Sequence, residues 1–149
     1  MHVSEIIIRK GSQIYSIGHK NDVSSAIETM AHYCVGSVLV HDEDSGELIG
    51  LIAQSELLAA LSNLGQSALT RRATTIMQNP VPFCRPDDDV ASILTLMTTK
   101  RCRHMAVIDE AGLTHGLVSI GDLVAAQLAE ARLEAGVLRD MARSHLLSA

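Results

Sequence analysis

The chain has 149 residues, 47% of them hydrophobic, enough for a compact core without disulfide or metal staples and too many for a disordered chain. Twelve basic against seventeen acidic side chains leave a net charge of −5, and the aromatics are one Phe, two Tyr and no Trp. That balance counts against a dominant basic face for duplex nucleic acid and against an aromatic ladder for single strands.

In chain order, the opening MHVSEIIIRKGSQ has only three consecutive isoleucines, too few for a signal peptide. A short strand is expected around Gln13 to Ile17. Asn21 or Asp22 then caps a helix whose apolar positions are Val23, Ala26, Ile27 and Met30. The β-rich run SVLVHD, the turn EDSGE and a second run LIGLIA follow, leading into the helix SELLAALS. SNLGQSALTRRATTIMQNP is a connector. After it come a strand at Val81 to Cys84, which Pro80, Pro82 and Pro86 keep short or at an edge, and a helix with Val90, Ile93, Leu94 and Met97 inward. The runs HMAVID and HGLVSI then feed a helix GDLVAAQLAE. From Gln127 to Ala149 the helical spacing persists through Leu128, Leu133, Val137, Met141 and Leu146, a stripe that suits packing on the chain itself or on a partner. No segment reaches the roughly 20 apolar residues of a membrane span. Cys34, Cys84 and Cys102 form no CxxC pair and are expected to be reduced, so a cytoplasmic location is expected.

The element order repeats because the sequence repeats. At an offset of 67, Asp22, Val23, Ser25, Met30, Val40 and Asp42 match Asp89, Val90, Ser92, Met97, Val107 and Asp109. After a one-residue indel in the turn, Gly50 and Leu57 match Gly116 and Leu123. The chain is two copies of one strand–helix–strand–strand–helix unit.

Each unit resembles the cystathionine-β-synthase (CBS) domain. The residues that carry the resemblance are RHMAVIDEAGLTHGLVSIGDLV in the second copy and VGSVLVHDEDSGELIGLIAQSELLAAL in the first. With its start and its ending, the chain looks like bacterial CBS-pair proteins that have no attached enzyme. The resemblance implies an α+β fold of two βαββα repeats related by a pseudo-twofold axis, plus a C-terminal helix. The expected division is 8–62 for the first repeat, 63–75 for the connector, 76–126 for the second repeat and 127–149 for the terminal helix. It further implies an adenosine-containing ligand (AMP, ADP, ATP, NAD(H) or S-adenosylmethionine) between the repeats, an energy- or redox-sensing regulatory role rather than catalysis, a homodimer of pairs and a regulated protein partner.

Ser119 and Asp122 match the family's ribose signature, a hydroxyl residue followed three positions later by Asp. An ionised carboxylate can accept hydrogen bonds from both hydroxyls of a ribose. The same two residues also make an ordinary helix capping box. The first copy has Ala53 and Glu56 there, losing the hydroxyl and lengthening the acid, with Ser55 left to cap the helix. One good site per chain is therefore expected. Arg103 and His104 stand where the family brings basic groups to phosphates, and Val35, Gly36 and Ser37 occupy the equivalent bend of the first copy, where Gly36 would let backbone approach a ligand. Lys10 and Tyr15, in the first strand segment, are expected to flank phosphates and adenine. The histidines show no metal-ligand spacing, and no nucleophile elbow, phosphate loop or dinucleotide fingerprint is present. The competing reading is a ligand-free dimerisation or interaction module. A nucleic-acid regulator acting through Arg71, Arg72 and the Lys100–Arg103 run is weaker still.

Overall fold

The computed structural model describes residues 1–148; Ala149, the last residue of the expected helical tail, lies outside them. Helix α1 (Val3–Lys10) precedes the first repeat, which comprises β1 (Ser16–Gly18), α2 (Val23–Tyr33), β2 (Ser37–His41), β3 (Leu48–Ala53) and α3 (Gln54–Leu64). Two short 3-10 turns, Gly65–Thr70 and Ala73–Thr75, form the connector. The second repeat contributes β4 (Phe83–Cys84), α4 (Val90–Lys100), β5 (His104–Ile108), β6 (Thr114–Ser119) and α5 (Ile120–Ser148).

The repeat expected from sequence is present in the hydrogen bonds. Each copy has a three-stranded sheet in which the first strand runs parallel to the second and the third antiparallel to it. Asp22 and Asp89 cap α2 and α4 by accepting from the N–H of Ser25 and Ser92. Both helices end on a non-glycine residue in the left-handed region, Cys34 and Arg101, each with φ 53°. The proline-flanked β4 is two residues long and lies at its sheet's edge, as that chemistry requires.

The opening segment departs from expectation. Residues 3–10 form a helix, with Val3, Ile6 and Ile7 on its buried face, so Lys10 ends a helix and does not belong to the first strand. That buried face joins Cys84, Val90, Met97, Val107 and Leu123 in the core of the second repeat. Ala73 of the connector, and Ile76 and Met77 just beyond the expected boundary at 75, pack in turn on the first repeat, with Ile17, Ala26, Val38 and Ile52. Each repeat is thus closed by the segment that precedes the other one. The main chain ties the exchange down symmetrically: Val3 and Val90 donate to Asp88 and Met1, while Ala73 and Val23 donate to Asn21 and Arg71. Two glycines make room for it. A Cβ on Gly116 (φ +158°) would lie 2.9 Å from Ile7, and a Cβ on Gly50 would collide with Met77. A third cluster, Leu39, Leu51, Ala53 and Ala106, draws on both sheets and joins the repeats at the pseudo-twofold.

Helix α5 runs unbroken from the second repeat through the terminal segment, so the division at Gln127 falls inside a helix. Only Leu123 and Ala126 of it are fully buried. Among the described residues no helix is long and apolar enough to cross a membrane.

Candidate functional site

A cavity of about 560 Å³ opens between the repeats. The first repeat contributes Gly36 and the start of α3 at Ala53, Gln54 and Ser55; the second contributes Arg101, Arg103, His104 and Ser119. It exists because β3 and β6 end side by side and both feed helices whose first turns point at the same space. Free N–H groups and the positive ends of two helix dipoles therefore converge on it, an arrangement that suits an anion. The αL residue Arg101 and the exposed Arg103 add fixed positive charge at the rim.

At the start of α5 the capping box is complete. Asp122 Oδ2 accepts from the Ser119 N–H at 2.8 Å, and Ser119 Oγ accepts from the Asp122 N–H at 3.1 Å. Lys10 Nζ reaches across from α1 to donate to the same Oδ2 at 2.8 Å and to the Leu117 carbonyl at 3.1 Å. Both bonds fall on Oδ2, and among the described residues Oδ1 has no partner. Burial pushes the Asp122 carboxyl upward and is the largest single influence. The Lys10 ammonium and the Ser119 N–H together outweigh it, so Asp122 ionises below its ordinary value.

At the start of α3 the matching acid is consumed. Glu56 Oε2 accepts from the Ala53 N–H at 2.8 Å, and Oε1 accepts from Gln78 Nε2 at 2.6 Å and Ser55 Oγ at 3.1 Å. Ser55 therefore does not cap α3 as the sequence suggested; it sits inside the first turn and braces the Glu56 carboxylate, which does the capping. Gln78 stands to Glu56 as Lys10 stands to Asp122, each supplied by the segment that crosses from the other side.

His104 senses the charge of both acids. Its Nε2 would be only 3.0 Å from a Cβ on Gly36, so the bare glycine is what admits the imidazole across the repeat boundary. Its Nδ1 is buried without a hydrogen-bond partner. Burial pulls its pKa below the ordinary value, and Lys10 and Arg103 add to that against the opposing charges of Asp122 and Glu56. The ring is neutral at neutral pH.

Of the residues singled out from sequence, Ser119, Arg103, His104 and Gly36 share this cavity, with Asp122 and Lys10 paired beside it. Val35 lines a neighbouring cavity of about 420 Å³ with Gly36, Cys34, Gln54 and Leu57. Ser37 is buried in β2. Tyr15 lies apart from the cavity lining: its ring stacks on Tyr33 at 4.2 Å, and its carbonyl accepts from the Leu39 N–H. Sequence reasoning passed over Arg101, Gln54 and Gln78. The offset of 67 that pairs Arg101 with Cys34, beside the bend already under scrutiny, was the available signal for Arg101. Among the described residues no group of acidic, His and Cys side chains is placed to hold a metal. Cys84 is buried and its thiol is pushed up to about 12, chiefly by desolvation, so it stays an inert core thiol.

Comparison with known proteins agrees with this architecture. The CBS domain family model matches twice, at residues 3–63 and 73–129. The chain belongs to the CBS domain family and carries two copies of the domain. It is 33% identical over 115 residues, 75% of its length, to the mitochondrial CBS domain-containing protein CBSX3 of Arabidopsis thaliana, of whose length it spans 55%. Among solved structures, a CBS-domain containing protein from Agrobacterium tumefaciens superposes with a TM-score of 0.81 at 28% identity, covering 85% of this chain and 99% of that one. A CBS domain protein from Pyrobaculum aerophilum, solved as a complex with AMP, superposes with a TM-score of 0.72 at 20% identity, covering 82% of this chain and 89% of that one.

Proposed function

We propose that this CBS pair is a regulatory module, not an enzyme, that binds one adenosine-containing ligand between its repeats and reports the binding to a protein partner. The observation that carries the reading is the asymmetry of the two helix starts. Asp122 keeps an ionised oxygen without a partner, while both oxygens of Glu56 are engaged. In this reading Asp122 Oδ1 accepts from the ribose hydroxyls and Ser119 Oγ assists. Arg103 and Arg101, with the two helix N-termini, take the phosphate. His104 and Gly36 form the floor, Ala53, Gln54 and Ser55 its first-repeat wall, and Lys10 sits where it can move from Asp122 to a phosphate; Val35 and Ser37 are left to the neighbouring cavity and the interior of β2. Tyr15 is left to packing with Tyr33.

The candidates are AMP, ADP, ATP, NAD(H) and S-adenosylmethionine; the AMP complex of the Pyrobaculum aerophilum protein supports starting with AMP. A ligand touching both repeats ties their relative placement to its own concentration, which is how binding reaches a partner surface. The regulatory complex is a homodimer in this reading, with the exposed apolar positions of α3 and α5 as its contact surface.

The test is a thermal-shift panel of those five ligands on wild type and Asp122→Ala. A ligand at 100 times its Kd stabilises a fold by about 2.7 kcal/mol. One ligand should raise the wild-type Tm and leave the variant's unchanged. No shift with any of them would leave the second reading, a ligand-free dimerisation module, for which the Lys10–Asp122 ion pair is the supporting observation: the acid is then simply a bonded cap.

A further inference from the structure

The family match ends at residue 129, yet α5 continues to Ser148. Past Glu130 every described residue except Gly136 is exposed, including Leu138 at 66% and Leu146 at 77%. A lone helical stretch of roughly this length is marginal in water, because helices in proteins are held by burying an apolar face.

The sequence of the extension indicates what covers it. Leu128, Ala131, Ala135, Leu138 and Ala142 recur at alternating intervals of three and four, the spacing of a coiled-coil seam. At about 100° per residue they form one stripe roughly 80° wide. It points away from Leu123 and Ala126, the positions by which α5 is held to the body, and from Leu133, Val137 and Met141, which continue that side along the extension. The alanines let two helix axes come close. The charges on the flanks are divided: Arg132 and Arg139 line one edge of the stripe and Glu134 the other.

Two identical helices meeting along this stripe have a choice of direction. Antiparallel, the arginine edge of one faces the arginine edge of the other. Parallel and in register, Glu134 of one copy faces the partner's Arg139, twice by symmetry. We infer that residues 131–148 form a parallel two-helix strut through which a second copy of this chain docks, with the twofold axis running along the helix. This rests on the homodimer reading above and deepens it by assigning an element and a direction; it is independent of the ligand.

The test uses the full chain. In a Cys34→Ser background, Ala142→Cys should oxidise rapidly to a disulfide-linked dimer, because a parallel register places each 142 beside its own copy. Glu134→Arg should weaken dimerisation about tenfold in sedimentation equilibrium, and Glu134→Arg combined with Arg139→Glu should restore it. A wild-type dimer that neither cross-links at 142 nor responds to Glu134→Arg overturns the strut and leaves the homodimer standing. A chain that stays monomeric at high micromolar concentration overturns both.

Discussion

The starts of α3 and α5 are built on one plan and differ in what they leave over. In both, an acid three residues past the last strand position accepts from that position's N–H and is met by a side chain from the crossing segment. In the first repeat the acid is Glu56 and its visitor the neutral Gln78; in the second they are Asp122 and the cationic Lys10. The extra methylene lets Glu56 reach Gln78 and Ser55 together, so its bonds are spent. Asp122, held on one oxygen by a partly exposed ammonium, keeps its other oxygen without a partner among the described residues. Duplication preserved the cap and allowed the two acids to diverge in availability.

The largest effect should come from the crossing segments. Ile7 is a buried part of the second repeat's core, whereas Met77 is only partly buried. Ile7→Ala should cost about 3 kcal/mol and Met77→Ala clearly less, read from urea midpoints at constant m-value; equal costs would make the two closures equivalent. Next in size is a transplant. Ala53→Ser with Glu56→Asp should give the first repeat a free carboxylate oxygen, and titration calorimetry should then find a second nucleotide per chain. If stoichiometry stays at one, the asymmetry lies elsewhere than in these two side chains.

His104 offers a smaller, pH-dependent contrast, since its counterpart in the first repeat is the untitratable Ser37. Its folded pKa lies below the ordinary 6.5. The unfolded chain therefore binds the proton more readily, and stability falls as pH drops from 6.5 through the folded pKa. His104→Gln should flatten that part of a Tm-against-pH profile; an unchanged slope would show that the imidazole is not the group responsible. The smallest effect belongs to Lys10→Met. Asp122 ionises below its ordinary value in the fold, so its contribution is present above the unfolded pKa and disappears as pH falls through the folded one. Removing Lys10 should raise the Asp122 carboxyl toward 3.8 and shrink that acid-limb contribution, by less than about 1 kcal/mol at this partly exposed pair.

Much of this was legible in the sequence because duplication doubles every signal. The offset of 67, and of 66 past the indel, exposed the two units and their capped helices, while the capping-box spacing and the family's ribose signature marked Ser119 and Asp122. What stayed hidden was long-range pairing. Val3, Ile6 and Ile7 have helical spacing, but nothing local says that this face belongs to the second repeat and not to the one it adjoins. Lys10 and Asp122 lie 112 residues apart, and only the chain exchange brings them together. Ser55 looked like a cap by residue type. Glu56 displaced it because a carboxylate in the first turn reaches back to the Ala53 N–H, as in any capping box.

The most direct measurement is the stoichiometry of nucleotide binding by isothermal titration, with AMP and then ATP, on wild type, Asp122→Ala and Glu56→Ala. A single competent helix start gives one nucleotide per chain in wild type, none in Asp122→Ala and one in Glu56→Ala. Two equivalent nucleotides in wild type, or one that survives Asp122→Ala, would contradict it.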